Sequence, residues 1–256
     1  MKIKEHILPV LIAVAILAVV GGIFWGVLKT PSQDQVPQES ENNQNNESPS
    51  PDPALTQQTP SQLPAGYDTL VDNNPTMRED LEKNLRNKFD WTIKSLKADT
   101  SNSLLWSDLG SIKYAFEDYK GAEAAWRYAI EINPLATSAH MNLAALYQYK
   151  IPNYPEAERM LRIAIINEPR VAIQAYSELF DLYRYRYTEK ANLAEGVMLE
   201  AYRAFPEQHA VLKTLAWHFL EKGDTQRAIE YFEKFLAKVP DDASALEELA
   251  RLRSSP

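Results

Sequence analysis

The side chains with the clearest capacity for chemistry are four histidines, His6, His140, His209 and His218. An imidazole acts as a metal ligand or catalytic base only with partners at a matched spacing. No HExxH or His-x3-His pattern joins any two of them, and the chain has no cysteine, so thiolate metal sites and disulfides are excluded. His140, His209 and His218 fall on helices or at their starts and read as surface or groove side chains. Carboxylates such as Glu156 with Glu158 stand at a helix start, where negative charge favours the macrodipole. No nucleophile elbow, phosphate loop or glycine-rich dinucleotide fingerprint occurs. These residues imply no enzyme, no cofactor and no metal. One further constellation, Tyr183-Arg184-Tyr185-Arg186-Tyr187, interleaves cations with rings, a pattern able to stack on nucleic-acid bases. The net charge of -8 supplies no basic field for such a ligand. The segment is therefore expected to end a helix and pack by alternate faces, without nucleic acid as a partner.

What must position these residues is a chain of 256 residues, 45% hydrophobic and 24% charged, a normal globular balance. Only 8 glycines occur, which favours helices over tightly turned sheet. Residues 1–29 form the first segment. Ile7 to Leu28 runs for 22 residues without a charge, about 33 Å as a helix, enough to cross a bilayer core. A cleaved signal peptide has a shorter apolar core and a small-residue site, which Gly26-Val27-Leu28-Lys29 does not offer. Lys2, Lys4 and the amino terminus precede the stretch and only Lys29 follows it closely. The positive-inside rule then predicts a single-pass membrane protein with a cytoplasmic N-terminus and the remainder extracytoplasmic.

Residues 30–66 hold seven of the 16 prolines, and their only charges are five acids among Gln, Asn and Ser. That composition predicts a disordered tether, because it cannot bury enough apolar surface to offset ordering entropy. Its functional reading is a leash that concentrates the following domain near the membrane; a plain spacer is the alternative.

From Tyr67 onward the pattern is helical. Leu81, Leu85, Phe89, Ile93 and Leu96 recur at steps of four, four, four and three, an amphipathic stripe. Four helical segments then close on Pro134, Pro169, Pro206 and Pro240, spaced 35, 37 and 34 residues apart. A period near 34 marks paired-helix repeats. Residues 103–136 supply Trp106, Leu109, Gly110, Ala122, Trp126, Ala129 and Pro134, with the aromatic slipped by one to Tyr114. Residues 137–171 supply Leu143, Ala144, Tyr147, Ala157, Leu161, Ala164 and Pro169. Residues 173–208 supply Tyr176, Leu179, Tyr183, Ala194, Met198, Ala201 and Pro206, with Phe180 where a small residue is usual. Residues 209–242 supply Leu212, Leu215, Ala216, Phe219, Ala228, Phe232 and Pro240, with Phe235 in place of alanine, which predicts a splayed last pair. In these residues the chain resembles the tetratricopeptide repeat (TPR) family. The resemblance implies an all-α solenoid, a right-handed superhelix of helix-turn-helix repeats over 103–242. Residues 67–102 would be an N-terminal helical cap and 243–256 a capping helix.

In that family the first helix of each pair lines a concave groove where partners lie. The resemblance therefore implies groove positions that include Tyr114, Asn142, Tyr149, Arg184, Tyr185, Lys213 and Trp217. The tyrosines either face the groove or pack on the next repeat; Trp217, late in the array, is the stronger candidate for exposure. Rigid aromatics among polar neighbours suit a peptide or helix ligand. The carboxylate clamp of some family members is not expected, since Ser107, Ser111, Gln174 and Glu178 stand where it needs Lys, Asn, Lys and Arg. The expected function is a membrane-tethered adaptor for protein or peptide partners in envelope assembly or transport. A self-associating structural protein is the alternative, with Gly22-x3-Gly26 a possible homo-oligomer contact in the span.

Overall fold

The computed structural model describes residues 62–254, and the span and most of the tether expected in residues 1–61 lie outside them. The described residues fold into ten α-helices: α1 Glu79–Ala98, α2 Ser103–Ala115, α3 Tyr119–Ile132, α4 Thr137–Tyr149, α5 Tyr154–Asn167, α6 Pro169–Tyr185, α7 Ala194–Ala204, α8 His209–Glu221, α9 Thr225–Leu236 and α10 Ala243–Ser254. A short 3-10 segment, Thr188–Leu193, precedes α7. None of the described helices is long and apolar enough to cross a membrane. Each helix packs chiefly on its neighbours in sequence, so the helices form the pairs α2–α3, α4–α5, α6–α7 and α8–α9, closed by α10.

The pairing follows from one burial rule applied four times. In the second helices a buried alanine opens a stripe at steps of three, four and seven: Ala122, Ala125, Trp126 and Ala129 in α3; Ala157, Met160, Leu161 and Ala164 in α5; Ala194, Val197, Met198 and Ala201 in α7; and Ala228, Tyr231, Phe232 and Phe235 in α9. This is the apolar face of a 3.6-residue helix, with small residues where the partner helix comes closest. The first helices obey the same steps: Trp106, Leu109, Gly110 and Lys113; His140, Leu143, Ala144 and Tyr147; Tyr176, Leu179, Phe180 and Tyr183; Leu212, Leu215, Ala216 and Phe219. Gly110 is needed here because a Cβ on it would stand 2.5 Å from Trp126 Nε1.

Three of the turns inside the pairs use the same cap. Asp118, Asn153 and Asp224 accept hydrogen bonds from Gly121, Glu156 and Arg227 amides at the starts of α3, α5 and α9. Asp118 and Asp224 follow a residue with positive φ, Glu117 at 57° and Gly223 at 74°. The third pair departs from this plan: α7 has no side-chain cap and follows the 3-10 segment.

Successive pairs are tied by a buried tyrosine. Tyr147 donates to Glu123 Oε1 at 2.6 Å, joining α4 to α3, and Tyr183 donates to Glu158 Oε1 at 2.7 Å, joining α6 to α5. Burial first, and then the carboxylate it meets, push each phenol well above its usual pKa, so both remain donors. Phe219 holds the equivalent position in α8 and has no hydroxyl; the corresponding Glu195 pairs with Lys222 and with Arg227 at 2.8 Å. Tyr147→Phe and Tyr183→Phe are each expected to lower stability by about 1–2 kcal/mol, since each leaves a partly buried carboxylate short of a donor. Urea titration monitored by far-UV circular dichroism checks this.

Several expectations need correction. Within the expected cap at 67–102 the helix lies at Glu79–Ala98, where the apolar stripe placed it, and residues 62–78 form a non-helical strap. Residues 62–66, assigned to the tether, already belong to that strap. The buried position of α2 that aromatics fill elsewhere is taken by Lys113, not by a slipped Tyr114. Lys113 is 2% exposed; its Nζ donates to the Thr69 carbonyl at 2.6 Å, the Gly66 carbonyl at 3.4 Å and Asp118 Oδ2 at 3.1 Å. Among the described residues no repeat precedes α2 to offer a glutamate, and strap carbonyls satisfy the position instead. Asn73 and Asn74 fasten the same strap to the end of α2 through the Phe116, Glu117 and Ala115 carbonyls. The last pair is not splayed: Phe235 is buried, and α8 and α9 pack as extensively as α4 and α5.

Candidate functional site

The first helices of the pairs, α2, α4, α6 and α8, carry the candidate groove residues, and side chains bridge α1 to α2, α4 to α6 and α6 to α8. Asp108 of α2 pairs with Lys88 of α1 at 3.1 Å. From α4 to α6, the Arg186 guanidinium lies 4.1 Å from the centre of the Tyr149 ring, and Gln148 Nε2 donates to Glu178 Oε2 at 3.5 Å. From α6 to α8, Arg184 forms an ion pair with Glu221 and lies 5.0 Å from the Tyr185 ring centre. Such cation–ring contacts fix the orientation of otherwise mobile arginines.

The seven predicted residues divide by environment. Tyr149 is 47% exposed and Tyr185 64% exposed. Tyr114 is half-buried, its ring 5.5 Å from Tyr119 and 5.9 Å from Trp126, so it packs within its own repeat. Trp217, expected to be exposed, is half-buried and meets Phe232 edge-on at 5.3 Å. Asn142 is half-buried and partly open to the groove. Lys213 is occupied by Asp242 at 2.8 Å, which anchors α8 to the start of α10. The structure thus gathers Tyr149, Arg184 and Tyr185 at the α4–α6–α8 junctions and leaves Tyr114 and Lys213 in packing roles. The Tyr-Arg repeat does not alternate residue by residue: Tyr183 is buried, Arg184 half-buried, Tyr185 and Arg186 exposed and Tyr187 half-buried, with the α-helix ending at Tyr185.

Two histidines read as surface or groove residues are buried. His140 holds the first position of the α4 stripe. Its Nε2 lies 2.9 Å from the Pro134 carbonyl, which calls for a proton on Nε2, and its Nδ1 lies 3.3 Å from Met160 Sδ. His218 Nε2 lies 3.5 Å from Glu195, and its Nδ1 has no partner. His209 is exposed at the start of α8. Among the described residues no three His, Cys, Asp or Glu side chains gather to hold a metal.

Burial lowers the pKa of both buried histidines. At His140 the Pro134 carbonyl opposes this and Arg159 adds to it; at His218 Glu195 opposes it and Arg184 and Lys222 add to it. A histidine whose folded pKa lies below its unfolded value of about 6.5 contributes stability above that pH and loses it as pH falls towards the folded pKa. The midpoint of thermal unfolding is therefore expected to decline once pH drops below about 6.5. His140→Gln should flatten that decline, and an unchanged slope would contradict the assignment.

The resemblance also puts Gln148 and Glu178 among the groove positions; what it does not show is their contact with each other or the burial of Lys113. Gln148 is 1% exposed; no local signal marks its burial, because the residue beside it lies 30 positions away.

Stacked pairs of antiparallel helices, with the first helix of each pair presenting polar and aromatic side chains to its successor, define a helical repeat scaffold. Within the chain, residues 209–252, which are α8, α9 and most of α10, match the family model described as tetratricopeptide repeat. Among the solved structures similar to it is the crystal structure of YrrB, described as "a TPR protein with an unusual peptide-binding site". It is 16% identical with a TM-score of 0.46, over 64% of this chain and 82% of that one. Two crystal structures of MamA are each 21% identical, with TM-scores of 0.48 and 0.47. They cover 66% and 64% of this chain and 99% and 91% of their own. No curated protein matches the chain in sequence.

Proposed function

We propose that the chain is a non-enzymatic scaffold, held at a membrane by residues 7–28, that takes a peptide or helix of a partner protein on the α4–α6–α8 face. The observation that carries this reading is the pair of tyrosines, Tyr149 and Tyr185, exposed on successive first helices while arginines brace them. A large ring held rigid before binding loses little entropy on contact, which is why such rings dominate recognition surfaces. The apolar run at 7–28 and the charges around it support a single-pass, N-in arrangement with the repeats outside the cytoplasm. A tether of that kind raises the effective concentration of the repeats for partners at the same membrane and acts without any chemical step.

The test is affinity capture from solubilised membranes with the full chain, Tyr185→Ala and Arg184→Ala. A partner retained by the native chain should be lost from both variants. Retention by all three would remove the groove from the account, and a chain lacking 1–29 that retains full cellular activity would remove the tether.

A further inference from the structure

Helix α6 carries two carboxylates one turn apart, Glu178 and Asp181. Neither forms a salt bridge among the described residues, although two arginines stand nearby. Arg184 is taken by Glu221, and Arg186 lies over Tyr149 with its Nη1 3.4 Å from the Gln148 carbonyl oxygen. Glu178 is half-buried, and Asp181 stands on the open side of the same helix face. Burial is the largest influence on both and holds both above the usual carboxylate range. Gln148, Tyr149 and Arg186 draw Glu178 back only in part, and Arg184 does the same for Asp181.

The second observation is independent of these charges. The amide of Gln148 abuts Glu178, and its Oε1 is buried without any hydrogen-bond partner. A buried carbonyl oxygen left unpaired is uncommon in a folded protein and costs stability. A half-buried carboxylate, an exposed one and one orphaned acceptor lie close together: Glu178 has the Gln148 amide as a donor at 3.5 Å, Gln148 Oε1 has none, and neither carboxylate has a positive charge paired with it among the described residues. A Lys ammonium brings three donors with its charge, and an Arg guanidinium five. A group retained at a cost to the free protein is typical of a binding site, where the ligand removes the cost.

We propose that the stretch of groove formed by Gln148, Glu178 and Asp181 receives a lysine or arginine side chain of the partner peptide, so that the scaffold selects cationic segments. This deepens the groove reading above and rests on it. Exposure rises from the buried Gln148 through the half-buried Glu178 to the exposed Asp181, and Tyr149 and Tyr185 of the same two helices are exposed as well.

The experiment measures fluorescence anisotropy of labelled alanine peptides bearing lysine, arginine, glutamate or serine, with the full chain in an uncharged detergent. Lysine and arginine peptides should bind at least about tenfold more tightly than the other two, and rising salt should weaken them. Glu178→Gln combined with Asp181→Asn should remove that preference. Glu131→Gln combined with Glu247→Gln, two exposed acids on α3 and α10, removes the same charge and should leave it intact. Equal loss from both pairs would mean general attraction to an acidic chain and would overturn the proposal, as would the absence of any cationic preference. Glu178→Gln alone also offers a donor to Gln148 Oε1, so its unfolding temperature should equal or exceed the native value. Lost binding in that variant then cannot be ascribed to misfolding. If Tyr185→Ala weakens whichever peptide binds while the acidic pair proves indifferent, the groove stands and this subsite falls. If the acidic pair matters and Tyr185→Ala does not, the reverse holds.

Discussion

Replacing Lys113 with alanine is expected to destabilise the first repeat by about 3 kcal/mol, the scale for removing one partner of a buried ion pair. The ammonium is enclosed by α2, the strap and the α3 cap, with the Phe89 ring centre 5.8 Å away. Its loss leaves Asp118 without its cation and two strap carbonyls without their donor. Asp118 also caps α3, so part of the damage passes to the second helix of the pair. Because a solenoid is held by nearest-neighbour contacts, the effect should stay near the N-terminal end. Hydrogen exchange locates it: the amide of Asn73, bound to the Phe116 carbonyl at 2.9 Å, should lose protection, while amides of α8 and α9 keep theirs. Lys113→Met keeps the apolar stem and should cost less than the alanine variant. Equal protection at Asn73 in native and variant chains would contradict the role given to the strap.

The second large effect lies at Gly110. A methyl group there would stand 2.5 Å and 2.6 Å from Nε1 and Cδ1 of Trp126, an indole pinned by its hydrogen bond to the Ser107 carbonyl at 3.0 Å. Gly110→Ala gains about 1 kcal/mol of helix propensity but forces an overpacked core that costs more, about 1–3 kcal/mol. Trp126→Ala alone should cost about 3–5 kcal/mol, from lost contacts and an unfilled cavity. In the double variant the clash is gone and the new methyl partly fills the space, so the combined loss should fall short of the sum by about 1–2 kcal/mol. Strictly additive losses would show that the glycine is not there for the tryptophan.

Much of the architecture could be read before any coordinates. The alanines at 122, 157, 194 and 228 and the apolar positions three, four and seven residues beyond them are local, periodic features, and periodicity is what a sequence displays directly. Boundaries shifted where the chain departed from the period. Helix α6 opens at Pro169, a residue suited to a first helical position, and the 3-10 segment at 188–193 lengthens the turn before α7. Lys113 could not be read correctly, because its burial depends on carbonyls more than 40 positions away. His140 looked like a groove residue because nothing local announces the Met160 sulfur and Pro134 carbonyl that enclose its ring.

The candidate site was legible only as a set of positions. The repeat register placed Tyr149, Tyr185 and Trp217 on first helices, but their exposure depends on which side chains of the packed helices cover them. Phe232 covers Trp217, whereas the residues beside Tyr185 leave most of it open. Glu178 was legible as a groove position and as a mismatch to a carboxylate clamp. Its pairing with a buried, half-satisfied Gln148 became visible only when α4 and α6 were placed side by side.

The central claim is that partners lie along the first helices of the repeats. Hydrogen exchange of the full chain with and without a peptide selected against it from a random displayed library tests this most directly. Added protection should appear in α4, α6 and α8, centred near Tyr149 and Tyr185, with little change in α3, α5, α7 and α9. Protection concentrated on the second helices, with α4 and α6 unchanged, would contradict the account.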